Sequence, residues 1–378
     1  MMPDFIINAI LFLFQFESFG YGEMSVSRVL LFPLLCLYLL LHRKLCIKWS
    51  SSLIIVVICL LVMMISSVGN LNFKSFFSIV FQFLILFVFL DYFFRNKGMK
   101  MSNFVILSLY DIPSIVSFVL TFSGFDIFDR FKGIYWDPNV MSVYVLISFS
   151  AKINLLNKKM KLIYRMIIYF LLPFDFILIF AASSRAAFLT TFIIIMVLIL
   201  RYSKKYFAII FGISTFLVIY LYINSIDLVW SQNMSVFDSL SYRLFSSTAE
   251  ELDNPEIGSR SQRIALLFYY LNNNYISILG NATNYLPDGS YIHNGVFEFL
   301  LVLGLPFGSI FIAIFMCLVY KVIICSVFAR RINLSVILLI SFFMSAVFYS
   351  YFSYKIFWFF LALMIYMNYK FDSVKSYL

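Results

Sequence analysis

Long apolar runs separated by short polar segments recur from one end of the chain to the other. The runs are apolar on every face, not on one stripe. At about 20 residues per crossing, each approaches the length that spans a hydrocarbon core about 30 Å thick. They predict helices over roughly 5–20, 26–41, 51–69, 76–92, 103–123, 139–154, 166–182, 186–200, 207–223, 295–320, 334–350 and 355–369. A membrane β-barrel would instead show short alternating segments. The expected fold is all-α: a polytopic integral membrane protein of about twelve transmembrane helices with both termini on one side. The apolar start of the chain, from Phe5, lacks a basic leader and a small-residue cleavage site, so it reads as a retained first helix.

One long polar segment interrupts this pattern, from Asn224 to Ile292. It divides the chain into helices 1–9 (residues 1–223), a loop (224–292) and helices 10–12 (293–378). Ser259 to Tyr270 reads as a short helix with Ile264, Leu267 and Phe268 on one face, while Asn254-Pro255 and Pro287-Asp288-Gly289 read as turns. A small cap lying on the membrane is the expected form.

Composition agrees with the pattern: 63% of the 378 residues are hydrophobic and only 12% are charged, with mean hydropathy +0.97. Soluble domains carry about 25% charged residues. The net charge of +10 invites a nucleic-acid reading, but most of the 28 Lys and Arg fall in six short segments. These hold Arg43, Lys44 and Lys48; Arg95, Lys97 and Lys100; Lys152, Lys158, Lys159, Lys161 and Arg165; Arg201, Lys204 and Lys205; Lys321, Arg330 and Arg331; Lys370 and Lys375. With the predicted spans all six lie on one side, as the positive-inside rule requires of cytoplasmic loops. The loop 224–292 then faces outward, and no nucleic-acid partner is expected. None of the five cysteines lies in that loop, so no disulfide framework is implied.

The candidate chemistry clusters at the outer side. Arg185, in Ser183-Ser184-Arg185-Ala186-Ala187, joins two spans in a tight hairpin; its competing reading is a snorkelling or structural arginine. Gly258-Ser259-Arg260-Ser261-Gln262-Arg263 opens the loop helix, where an arginine and a helix N-terminus suit a phosphate. Pairing with Glu250, Glu251, Asp253 and Glu256 is the alternative. Arg243 adds a third loop arginine. His293, in Tyr291-Ile292-His293-Asn294, stands where the chain re-enters the membrane, and an imidazole there can take a proton from an attacking hydroxyl. A histidine that only hydrogen-bonds at a helix start is the plain alternative, and Glu298 is its nearest acidic neighbour in sequence. Asp137-Pro138-Asn139 reads first as an ordinary helix start. Asp111 and Asp175, beside Pro113 and Pro173, are intramembrane acids that either serve function or hold helices together. No Walker A loop, HExxH or exposed acidic pair is present, so no metal or nucleotide cofactor is expected.

The ordered set Gly133-Ile134-Tyr135-Trp136-Asp137-Pro138-Asn139, Ser184-Arg185, Gly258-Ser259-Arg260, Leu279-Gly280, His293-Asn294 and Gly304-Leu305-Pro306-Phe307-Gly308 resembles the O-antigen ligase and polymerase superfamily, which includes Wzy-type polysaccharide polymerases. The resemblance covers about residues 130–310. It departs at Ile264 and Ala265, where the family often has a tryptophan, and at Ala282, where it often has a glycine.

The resemblance implies a GT-C-like architecture and a glycosyltransferase that uses an undecaprenyl-pyrophosphate-linked oligosaccharide at the outer face of the bacterial cytoplasmic membrane. It implies catalytic roles for Arg185, Arg260 and His293. Arg243, Arg263, Asn294 and Asn139 are expected to bind substrate, and a chain-length regulator is an expected further partner. Polymerase is the preferred activity within the family; a ligase that moves the glycan onto lipid A core or protein is the near alternative. A flippase for lipid-linked oligosaccharides is the rival from another class, expected to show a charged central cavity and two related halves.

Overall fold

The computed structural model describes residues 2–16, 26–70, 72–122, 135, 137–182, 184–202, 278–281, 295–324, 334–348 and 354–375. Every regular element among them is helical: α1 (Met2–Phe14), α2 (Val26–Leu41), α3 (Ser51–Gly69), α4 (Phe73–Asn96), α5 (Met101–Leu107), α6 (Ile112–Phe122), α7 (Pro138–Leu156), α8 (Leu162–Ala181), α9 (Arg185–Tyr202), α10 (Gly295–Val319, continued by a π-helical turn Tyr320–Ile324), α11 (Leu334–Phe348) and α12 (Lys355–Lys375). By length and composition six stretches among the described residues could cross a membrane: Ser51–Gly69, Ser75–Asn96, Met101–Leu120, Pro138–Leu156, Leu162–Ile179 and Glu298–Ile323, of which the third and the last are broken. The expected span 207–223 and most of the loop 224–292 lie outside the described residues.

Local signals set the helix ends. Ser50 caps α3 by accepting from the Leu53 amide at 3.2 Å, and Asn72 caps α4 by accepting from Ser75 at 3.0 Å. Asp137 caps α7, with Pro138 in the first turn where its missing amide hydrogen is not needed. Lys97, at φ 56°, and Gly98 close α4 in the left-handed region.

The chain divides into two compact units: Met1–Ile106, Ser259–Ser326 and Phe342–Leu378 form unit 1, while Leu107–Gly258 and Val327–Ser341 form unit 2. In unit 1, α4 packs against α12 and α3, and α3 packs against α10. α3 shows how a helix apolar on all faces is used. Leu53, Val56, Leu60 and Met63 are buried, whereas Ile54, Ile58, Leu61 and Ile65 are exposed at helical spacing, as expected of a lipid-facing stripe. Lipid tails are as apolar as leucine, so close packing and aromatic contact hold such a bundle together. Phe89 meets Phe359 edge-to-face at 4.8 Å, and Phe342 meets Phe357 at 5.3 Å and Phe360 at 4.9 Å.

The buried Asp91 of α4 gathers one end of unit 1. It accepts from Tyr38 of α2 at 2.9 Å, from the Cys46 amide at 2.5 Å and from Arg95 at 2.7 Å, and Arg95 also donates to the Lys44 carbonyl. At the same end Lys100 pairs with Asp4 of α1 at 2.7 Å, Lys48 lies over the Tyr369 ring of α12, and Lys321 pairs with Asp372. The basic segments predicted to share a side therefore share an end of this unit.

α10 departs from the single span expected over 295–320. Gly304 has φ 78° and ψ 166°, which no helix contains. Phe299 lies 4.7 Å from Phe311 and 6.1 Å from Phe315 between ring centroids. In a straight helix residues 299 and 315 would stand about 24 Å apart. The element is a helical hairpin: a short arm over 295–303, reversal at Gly304, and a long arm from Leu305 with Pro306 in its first turn. The short arm is about 13 Å long, less than half a bilayer core.

In unit 2, α7 is the central helix: every residue from Val140 to Leu155 is buried. α8 and α9 pack on it, and α8 turns a broad exposed face, including Ile163, Met166, Ile167 and Phe170, away from the unit. The expected span 103–123 is likewise interrupted. Between α5 and α6 the chain winds through tighter turns, with Tyr110 donating to the Leu107 carbonyl and Ile112 to the Leu109 carbonyl. Pro113 accounts for the break, since it has no amide hydrogen to continue the ladder.

Candidate functional site

The described residues hold two of the predicted site positions. Arg185 is the first residue of α9, and the buried Ser184 caps that helix, with its Oγ accepting from the Ala187 amide at 3.4 Å. Ala186 and Ala187 are buried, so the small residues beside the arginine serve close packing. Asn139 sits in the first turn of α7, half-buried. Its amide donates to Asp137 Oδ1 at 2.6 Å and its carbonyl accepts from Ser142 at 2.7 Å. α7, α8 and α9 follow one another through short connections, so α7 and α9 begin at the same end of unit 2, and both residues stand there. The side chain of Arg185, and Arg243, Arg260, Arg263, His293 and Asn294 entirely, lie outside the described residues. Glu298 is fully buried in the first turn of α10.

The Leu279-Gly280 and Gly304–Gly308 motifs come together in unit 1. Gly280 and Gly304 have φ 79° and 78°, and a Cβ on either would overlap the backbone of the other's segment. Asn281 donates to the Leu301 carbonyl at 2.9 Å, and Ser66 of α3 donates to the Gly280 carbonyl at 2.7 Å. Gly308 faces the short arm, where a Cβ would stand 2.7 Å from the Phe299 carbonyl oxygen. Each glycine fills a place where only hydrogen fits. The end of the polar segment is thereby tied to the hairpin and to α3.

A second constellation lies inside unit 2. Lys152 Nζ stands 2.5 Å from Asp111 Oδ2 and 2.9 Å from both carboxylate oxygens of Asp175. All three side chains are at most 1% exposed. Ser148, one turn before Lys152, donates to Asp111 Oδ1 at 2.7 Å and lies 2.8 Å from the Ser108 carbonyl at the α5–α6 break. Lys152 lies about one turn before the end of α7 and Asp175 roughly 20 Å along α8 from its start, and the three side chains meet where packing seals them from solvent.

This corrects one sequence inference. Lys152, grouped by sequence with Lys158, Lys159, Lys161 and Arg165, is instead buried in α7 as the counter-charge of Asp111 and Asp175. The available signal was its helix: Ser142, Ser148, Ser150 and Asn154 make α7 the least hydrophobic of the six stretches long and apolar enough to cross a membrane, as suits a helix surrounded by protein.

Tyr135 lies beside this cluster. Its ring stacks on Tyr144 at 5.2 Å with 12° between planes, and Tyr144 meets Tyr110 at 5.6 Å. Its buried hydroxyl has no hydrogen-bond partner among the described residues. Burial first, then the charge of Asp111, pushes its pKa far above the ordinary phenol value. Burial also lowers the pKa of Lys158, just past α7.

The chain matches no protein-family model and no curated protein.

Proposed function

We propose that this chain is a polymerase that joins undecaprenyl-pyrophosphate-linked oligosaccharide repeat units into a surface polysaccharide at the outer face of the bacterial cytoplasmic membrane. The observation that carries the reading is the Gly280–Gly304 junction. Two motifs on which the resemblance rests are joined in space, and they anchor the segment that bears Arg243, Arg260 and Arg263 to the hairpin that follows His293. The gathering of the basic residues of unit 1 at one end supports the expected sidedness, with that end cytoplasmic.

A sugar pyrophosphate is an activated donor whose leaving group gains negative charge as the glycosidic bond breaks. In this reading Arg185 and Arg260 stabilise that charge, each contributing about 2–4 kcal/mol in a poorly solvated site. His293 accepts the proton of the acceptor hydroxyl. In-line attack inverts the anomeric centre, and undecaprenyl pyrophosphate leaves.

A second reading, a carrier for lipid-linked oligosaccharide, is favoured by different observations: the buried Asp111–Lys152–Asp175 cluster and the helix breaks at residues 108–111 and at Gly304. Discontinuous helices and intramembrane charges are features of transport sites.

Deletion of the gene separates the readings. A single repeat capping the acceptor indicates a lost polymerase, complete chains left on the lipid carrier indicate a lost ligase, and repeats trapped inside indicate a lost carrier.

A further inference from the structure

The three charged groups of the unit 2 cluster sum to −1 when all are ionised, and none is accessible to solvent. No other described group compensates them. The groups acting electrostatically on Asp175 are Lys152 and Asp111. α6 adds Ser114, α7 adds Ser148 and Tyr144, and the described side chains of α9 include no titratable group. On α8, Arg165 lies about 15 Å along the helix from Asp175.

An uncompensated buried charge is costly, and two carboxylates that share one site commonly hold a proton between them. Lys152 then acts as a fixed counter-charge for one carboxylate while the other exchanges a proton with water: the carboxylate gains one proton to become a neutral acid, and no other bond changes.

A second, independent feature points into the same place. Tyr135 is 2% exposed, its hydroxyl has no partner among the described residues, and it lies within electrostatic range of Asp111. Ser114, fully buried and one turn beyond Asp111, likewise has no hydroxyl partner among the described residues. A hydroxyl both donates and accepts, so orphaned hydroxyls beside an acid can pass a proton on. Tyr135 belongs to the segment that enters α7, and its stack on Tyr144 holds the hydroxyl in place.

We infer that Asp111, Lys152 and Asp175 form a proton-binding site inside the membrane-spanning part of unit 2, loaded past the Tyr135 hydroxyl from the end where α7 begins. The site stands whether the protein polymerises or carries its lipid-linked substrate.

The test is infrared difference spectroscopy on the full chain reconstituted in lipid, with pH steps over the range where it stays folded. The expected result is a carboxylic-acid carbonyl band that titrates and shifts in protein made with carbon-13 aspartate. Asp111→Asn or Asp175→Asn should remove it, and Tyr135→Phe should keep it but slow its hydrogen–deuterium exchange. Absence of a titrating aspartic-acid band in the wild-type protein overturns the proposal without relying on any variant. A band unchanged in both Asn variants, or one abolished when sodium chloride replaces choline chloride, also overturns it, the latter in favour of a metal cation. Unchanged exchange in Tyr135→Phe overturns the route.

Discussion

Lys152 of α7 places its ammonium 2.9 Å from both carboxylate oxygens of Asp175 on α8, and so closes the one buried charge cluster described in unit 2. The same ammonium holds Asp111 at the break between α5 and α6. Three consecutive membrane segments are tied at one point, and the tie depends on a single cation.

Removing that cation is expected to cost far more than removing the whole cluster. Lys152→Met leaves two buried acids without a counter-charge and should lower stability by about 3–5 kcal/mol. The triple replacement Asp111→Asn, Lys152→Met, Asp175→Asn should recover most of the loss, because no uncompensated charge remains. Thermal unfolding of the purified variants in detergent checks both; equal damage from the single and triple changes would contradict the account.

The glycine junction gives a paired prediction. Gly280→Ala and Gly304→Ala meet backbone atoms and force an alanine to positive φ, which by itself costs about 1–2 kcal/mol. Both should lose folded yield. Gly69→Ala, where a Cβ meets nothing within 4 Å, is the control and should stay within about 0.5 kcal/mol of wild type. Fluorescence-detected size-exclusion chromatography after heating reads all three.

Asp91 predicts the behaviour of the basic end of unit 1. Asp91→Asn weakens the charge-assisted bond from Arg95 and gives the Tyr38 hydroxyl a poorer acceptor. A loss of about 1.5–3 kcal/mol is expected for a hydrogen bond to a charged group, and Arg95→Met should cost at least as much because it leaves the buried carboxylate without its cation. Unfolding midpoints decide the order.

For the proposed activity, Arg185→Ala and Arg260→Ala should abolish glycan elongation while membrane insertion is retained, as gel profiles of the surface polysaccharide and immunoblots of the membrane fraction will show. Arg185→Lys should also fail if two-pronged contact with a diphosphate is needed; full activity would reduce Arg185 to charge balance. His293→Ala should reduce turnover, and polymer of wild-type length would remove the histidine from the mechanism.

Much of the helical frame was legible without coordinates. The expected spans 26–41 and 51–69 coincide with α2 and α3, and the start of α7 follows from Asp137-Pro138. Asp111 and Asp175 stood out for the same reason, since a carboxylate in an apolar run is costly and therefore conspicuous. Lys152 was misread because it lies near a helix end and close to Lys158, Lys159 and Lys161 in sequence, a position shared with lysines that snorkel to the interface.

Hydropathy is a one-dimensional property, and it was sufficient to identify a helical membrane protein, because every backbone polar group in a bilayer must be satisfied within its own segment. Which residues meet across segments is a matter of three-dimensional packing. The reversal at Gly304, its approach to Gly280 and the capture of two acids by Lys152 depend on backbone dihedrals and on neighbours distant along the chain. An apolar run reads the same whether it passes straight through the membrane or folds back on itself, so only the tertiary structure distinguishes the two.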